Sequence, residues 1–264
     1  MSSVALRAAT GALVLVLSSP AFSALSLTRT DTSTTNTNIV NGTLDANEYG
    51  PGNSYVYSNG GGAGFGGTVG NGTIYMNADA IDLYIGFQPG DSLNDLAFLL
   101  LDTRSGGVLD ANMNDLADGG RRASSSPAVF GPADYDPGFL PDFALVFGNF
   151  GAVLFELTPG TDPFHLNFVS FDGSTPSFRE FVIPLATLGL STTNNIVDFF
   201  MGYTSETGFQ SNESLPAAPL NGSNNPGFSA VGNYDNFNRF ELVPEPASLA
   251  LLALGGLAFI RRRR

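Results

Sequence analysis

From about Thr28 to Leu242 no stretch holds the 3.6-residue period of an amphipathic helix. Apolar residues instead gather in short β-rich runs: SYVY (54–57), TIYMNA (73–78), AIDLYIGF (80–87), LAFLLLD (96–102), DFALVF (142–147), AVLFEL (152–157), FHLNFVS (164–170), FREFVIP (178–184), IVDFFMGY (196–203) and NRFEL (238–242). Several alternate. In FHLNFVSF the set Phe164, Leu166, Phe168, Ser170 opposes His165, Asn167, Val169, Phe171. Runs of period two bounded by Gly, Asn, Asp and Pro predict strands. So many of them predict an all-β fold: a single two-sheet antiparallel β-sandwich, jelly-roll-like, with long loops. PLATLGL (184–190) predicts one helical turn closed by Gly189. The glycine-rich stretch 58–72 has no helix after it and no Lys, so it reads as a hairpin connection and not as a phosphate loop. Two irregular stretches, 103–141 and 204–236, are longer than ordinary connections, and such loops are usually functional or disordered. No internal repeat is visible.

The two ends break the β pattern. MSSVALR followed by AATGALVLVL and the small residues of SSPAFSAL has the three parts of a secretory signal. Cleavage after Ser23 puts Ala21 at the −3 position and is preferred to cleavage after Ala24, which would put Phe22 there. At the other end Pro244 and Pro246 stop regular structure. Ala247 to Ile260 is then an apolar run of fourteen residues, closed by Arg261 to Arg264. As a helix the run is about 21 Å long, short against a hydrocarbon core of about 30 Å. The expected organisation is a signal peptide at 1–23, a sandwich domain at 24–242 and a tail at 243–264. A signal helix and a short C-terminal transmembrane helix would flank the body. The arginines would stay on the cytoplasmic side and leave the body outside.

Charge narrows the partners. All eleven basic residues of the 264 are Arg, and five lie in the terminal segments. The remaining body has six Arg and 23 acids, a net charge of −17, which repels phosphate backbones and excludes nucleic acid as a partner. With no Cys there is no disulfide, thiolate nucleophile or Cys-ligated metal. The single His, His165, excludes a multi-His metal site, and no nucleophile and orienter accompany it for catalysis.

IVNGTLDANEYG (39–50), ADAIDLYIGF (78–87), LLLDTRSGG (99–107) and FREFVIPLATLGL (178–190) occur in an order that resembles family 9 carbohydrate-binding modules and the related DOMON-like domains. The resemblance covers about 150 residues and implies a two-sheet β-sandwich. Asn41 stands where the family often has Asp. The chain has no Trp, the residue on which family members stack sugar ends, so carbohydrate binding does not carry over from the resemblance.

Among constellations that carry chemistry, LDANMNDLADGG (109–120) is the metal candidate. Asp110, Asn112 and Asn114 alternate, with Asp118 beyond, as oxygen ligands do in the first half of a calcium loop. Asp115 then occupies the position that needs Gly, and Arg121 the position of the bidentate acid. Glu48, Asp82, Glu180 and Glu206 are carboxylates for a glycosidase only if two face each other across a pocket. The expectation is therefore no catalytic residue and no enzyme, with calcium the sole cofactor to test. Alternatives are a carbohydrate-binding module with a defined glycan site, or a glycoside hydrolase. The eight Tyr residues fall mostly in strand runs, where packing is their default role.

Val243-Pro244-Glu245-Pro246, the apolar run and the cluster Arg261, Arg262, Arg263, Arg264 resemble the PEP-CTERM sorting signal in all three parts and in order. The resemblance implies a Gram-negative bacterium that makes exopolysaccharide. It also implies exosortase, a membrane cysteine transpeptidase, as the partner that removes the tail. The chain is then expected to be exported, to insert transiently in the membrane, and to end at the cell surface or in the matrix, where extracellular polysaccharide is a further partner.

Overall fold

The computed structural model describes residues 24–30, 40–56, 65–108, 115–129, 138–158, 166–191, 193–216, 225–228 and 236–243. The signal segment, the sorting tail beyond Val243 and His165 lie outside these residues. No described helix is long and apolar enough to cross a membrane.

The described chain is mostly strand, as the alternation predicts. In chain order the strands are β1 (Ala24–Thr30), β2 (Ser54–Val56), β3 (Thr73–Ala78), β4 (Asp82–Gln88), β5 (Leu96–Asp102), β6 (Phe143–Gly148), β7 (Gly151–Leu157), β8 (Leu166–Asp172), β9 (Arg179–Pro184), β10 (Ile196–Thr204), β11 (Gln210–Leu215) and β12 (Asn236–Glu241), with one helix, α1 (Gly119–Val129), between β5 and β6. An eight-stranded sheet runs β1-β12-β10-β5-β6-β7-β8, with β11 on β10 beside β12. A four-stranded sheet runs β2-β3-β4-β9. The pairing is antiparallel with one correction to the expectation: β1 and β12 run parallel, Leu25 opposite Phe237 and Thr30 opposite Glu241.

The two sheets share one core. Leu99, Leu101, Leu145, Phe147, Phe199 and Met201 of the large sheet meet Ile74, Met76, Leu83, Ile85 and Phe87 of the small one. A second core lies on the other face of the large sheet. There Phe98, Leu100, Val146, Phe155 and Phe200 pack against Ala123 of α1 and against Val108 and Phe139 from the long connection. Strands β5 and β6 are thus buried on both faces, which explains why LAFLLL and FALVF read as continuous apolar runs. The described parts of the stretch 103–141, expected to be an irregular loop, supply cover for that face through Val108, Ala123 and Phe139.

Helix α1 was not legible from its sequence. GGRRASSSPAV combines two Gly, three Ser and a Pro, all weak helix formers. Tertiary contacts hold it. Asp118 caps it, its Oδ1 accepting from the Arg121 N–H at 2.8 Å. The predicted turn at 184–190 forms with Gly189 in the left-handed region (φ 69°), and the Leu190 N–H reaches back to the Leu185 carbonyl at 2.9 Å.

Three of the segments that resemble carbohydrate-binding modules meet on the outer face of the small sheet. Glu180 of β9 accepts from the Asn41 N–H at 2.8 Å, the Gly42 N–H at 2.6 Å and the Tyr49 hydroxyl at 3.2 Å. Tyr49 lies against Tyr75 and Phe178, with ring centroids 5.5 and 6.0 Å away. Gly86 of β4 makes this possible: a Cβ there would sit 2.5 Å from the Phe178 ring and 2.8 Å from Tyr49. These residues lock the 40–50 segment onto the sheet.

Candidate functional site

A cleft of about 390 Å³ opens on the outer face of the large sheet, between the start of α1 and strands β7 and β8. Its floor is Leu96, Val153 and Phe155; its walls are Phe150, Phe168 and Phe171; its polar rim is Asp118, Arg121, Arg122 and Glu206. Phe168 is 59% exposed and Phe171 54%. Large apolar rings left this open in a cleft suit a ligand with an apolar face.

A bulge builds the aromatic wall. Strict alternation sets Phe168 and Phe171 on opposite faces of their strand. In the β7–β8 pair the register shifts, with Phe155 opposite Phe168 but Leu154 opposite Ser170. The extra residue, Val169, turns inward against the shared core. Phe168 and Phe171 then come to the same face and both line the cleft.

Arg121 and Arg122 anchor the helix end of the cleft. Arg121 Nη1 pairs with Asp115 Oδ2, Nε lies 3.3 Å from Asp118 Oδ2, and the guanidinium sits 5.2 Å from the Phe155 ring centroid. Asp115 is fully buried. The two residues that break the calcium-loop pattern, Asp115 and Arg121, are therefore bonded to each other. Arg122 donates from Nε to the Glu206 carbonyl at 2.8 Å and from Nη1 to the Leu116 carbonyl at 3.3 Å. Of the calcium candidates, Asp110, Asn112 and Asn114 lie outside the described residues. Asp118 is described, with one oxygen capping α1 and the other beside Arg121. Among the described residues no cluster of three or more acidic or His side chains is arranged to hold a metal ion.

The remaining carboxylates sort by place. Glu48 and Glu180 do come together, but Glu180 is buried beneath the 40–50 segment and Glu48 within it, and neither lines the cleft. Burial first, and then the charge of Glu180, raises the Glu48 carboxyl above its ordinary range. Asp79 Oδ1 accepts from the Asp82 N–H at 2.8 Å in the turn before β4. Only Glu206 of the four reaches the cleft. Tyr49, Tyr55 and Tyr203 are core residues; the cleft is lined by Phe, and the two Phe of NFVSF that wall it are three apart, which strict alternation would set on opposite faces.

The body ends abruptly. Leu242 is 8% exposed and belongs to the shared core. Its N–H donates to the Asn195 carbonyl at 2.8 Å, and its own carbonyl accepts from Asn195 Nδ2 at 2.7 Å. Val243, the next residue, is 50% exposed. Residues 242–264 match the PEP-CTERM protein-sorting motif. A PEP-CTERM tail implies export, recognition by an exosortase and sorting at the membrane towards the cell surface. Pro244, Glu245, Pro246 and Arg261 to Arg264 of that tail lie outside the described residues. No curated protein and no solved structure matches the chain.

Proposed function

We propose that the protein is a component of the cell surface or exopolysaccharide matrix, delivered and trimmed by exosortase through its PEP-CTERM tail, and that its body works by binding and not by catalysis. The observation that carries this reading is the sorting motif joined directly to a closed β body at Leu242. Mass spectrometry of the protein from its host tests it. The mature chain is expected to have lost Arg264 and the residues before it, and Glu245→Ala is expected to keep them. A parent chain that still ends at Arg264 in cells with working exosortase overturns the reading.

The cleft favours a second reading within the first, a glycan-binding body. Pyranose rings present an apolar face that stacks on aromatic side chains, and hydroxyls that bond to guanidinium and carboxylate groups. Phe168 and Phe171 offer the first, and Arg122 and Glu206 the second. Asp118 is spent on the helix cap and Arg121, which leaves Glu206 without an opposing free acid among the described residues that line the cleft. In a glycan array on the processed protein, Phe168→Ala with Phe171→Ala should weaken binding about tenfold or more, with little loss of melting temperature because both rings are exposed. Absence of binding to any glycan at millimolar concentration by the parent protein would remove this second reading.

A further inference from the structure

We propose that the tail-bearing end of the body is itself a docking surface for the membrane-bound partner that reads the sorting motif. This rests on the sorting function argued above and adds that the partner touches the body as well as the tail. The first support is distance. Leu242 is pinned to Asn195 through both of its backbone groups, and the PEP tripeptide begins two residues later. From Leu242 to Ala247, where the apolar run begins, five residues reach at most about 17 Å. One helix with its side chains is about 10–12 Å thick. A partner that engages Pro244 to Pro246 at the membrane therefore works in a gap little wider than a single helix, with the body as its ceiling.

The second support is that the body cannot yield slack. Strand β12, which delivers the tail, is hydrogen-bonded on both sides, to β10 and to β1. Peeling it back would break two ladders and pull Phe240 and Leu242 from the core. The third support is the chemistry of that end. Asn194 Nδ2 ties the 189–195 turn to the Thr103 carbonyl at 2.8 Å, so the turn, the 103–107 loop and Leu242 form one rim. In a body with 23 acids, residues 185–195 carry no charge at all. Ala186, Gly189, Ser191 and Thr193 are exposed there, small and neutral. Among the described residues, the charges that flank this turn are Arg104, held by Asp142 and Glu156, and Glu241, one residue before Leu242 and opposite Ile196. A neutral turn is closed upon with fewer charges to strand than the acidic surface elsewhere.

The full chain in its host, with exosortase active, provides the test. Ala186→Glu with Thr193→Glu places two carboxylates on the rim at positions whose side chains face solvent. At native spacing this pair should slow conversion to the trimmed form about tenfold, followed by pulse-chase. The same pair in a chain with twelve Gly and Ser residues inserted after Leu242 should have no effect, because the partner then no longer reaches the body. Unchanged melting temperatures show that the variants fold. Glutamates that do nothing at native spacing, or that slow the spaced chain equally, overturn the docking surface and leave the sorting function intact. A parent chain that is never trimmed overturns both.

Discussion

Replacing Glu213 with alanine is expected to destabilise the body by about 4 kcal/mol, one of the largest losses available to a single side chain here. Glu213 sits on β11 and is 1% exposed. One carboxylate oxygen accepts from the Gly67 N–H at 2.9 Å, and the other from Val69 at 2.8 Å and Gly70 at 3.0 Å. A buried carboxylate is tolerated because three backbone dipoles point at it. Alanine removes the charge and leaves three buried N–H groups without an acceptor, each costing about 1–3 kcal/mol and not additively. It also frees the 65–72 turn, whose Phe65 packs edge-on against Tyr203 with centroids 5.6 Å apart. Glu213→Gln keeps one acceptor but turns an NH₂ towards an N–H, so about half of the loss is expected. Urea midpoints for both variants check this. Values within 1 kcal/mol of the parent would mean that the clamp contributes little.

The second large effect is a dependence on pH centred on Asp102. Burial, chiefly, with Asp142 and Asp198 nearby, pushes its carboxyl up to about 7. Arg239 opposes the shift weakly, because its guanidinium is committed to Asp198 through two bonds of 2.7 Å. In register Asp102 lies directly opposite Asp198, and its Oδ2 accepts from the Leu140 N–H at 2.9 Å. An unfolded Asp titrates near 4, so the folded state holds a proton that the unfolded state has released. The contribution is fully present below pH 4 and is lost as pH rises through about 7. Asp102→Asn mimics the protonated acid and keeps an acceptor for Leu140. It should match the parent near pH 4, exceed it at pH 8 by about 4 kcal/mol, and flatten the slope between. Melting curves from pH 4 to 9 decide. A slope that survives in the Asn variant would assign the titration to another group.

The strands were legible where burial follows side-chain period. Runs such as TIYMNA show apolar residues at alternate positions because one face meets the core, whereas IVDFFMGY is buried on both faces. β11 was not legible, because QSNESL is polar yet buried: only Leu215 joins the apolar core, while Glu213 bonds backbone N–H groups. Helix α1 was hidden for the opposite reason, since GGRRASSSPAV has little intrinsic helicity and is held by Asp118, Arg121 and the sheet beneath. The cleft needed α1 and the β8 bulge, a one-residue register shift that nothing in NFVSF announces. Asp118 was singled out as a ligand from its spacing; its place at the helix start makes it a cap. The sorting tail was readable in full because its parts are local in sequence and need no fold to be recognised.

The parallel pairing of β1 with β12 bears on the order of events during maturation. Parallel neighbours begin at the same end of a sheet, so Ala24 lies at the edge opposite to Leu242, about 20 Å away at about 3.3 Å per residue. A chain still held in the membrane by a leader before Ala24 and by a tail after Leu242 would have its two tethers at opposite poles of the body. Closing that pair with both tethers in one bilayer would lay the β1–β12 edge of the body along the membrane surface. Loss of a leader before Ala24 would free that edge to turn away from the membrane, with the body hanging by its tail alone.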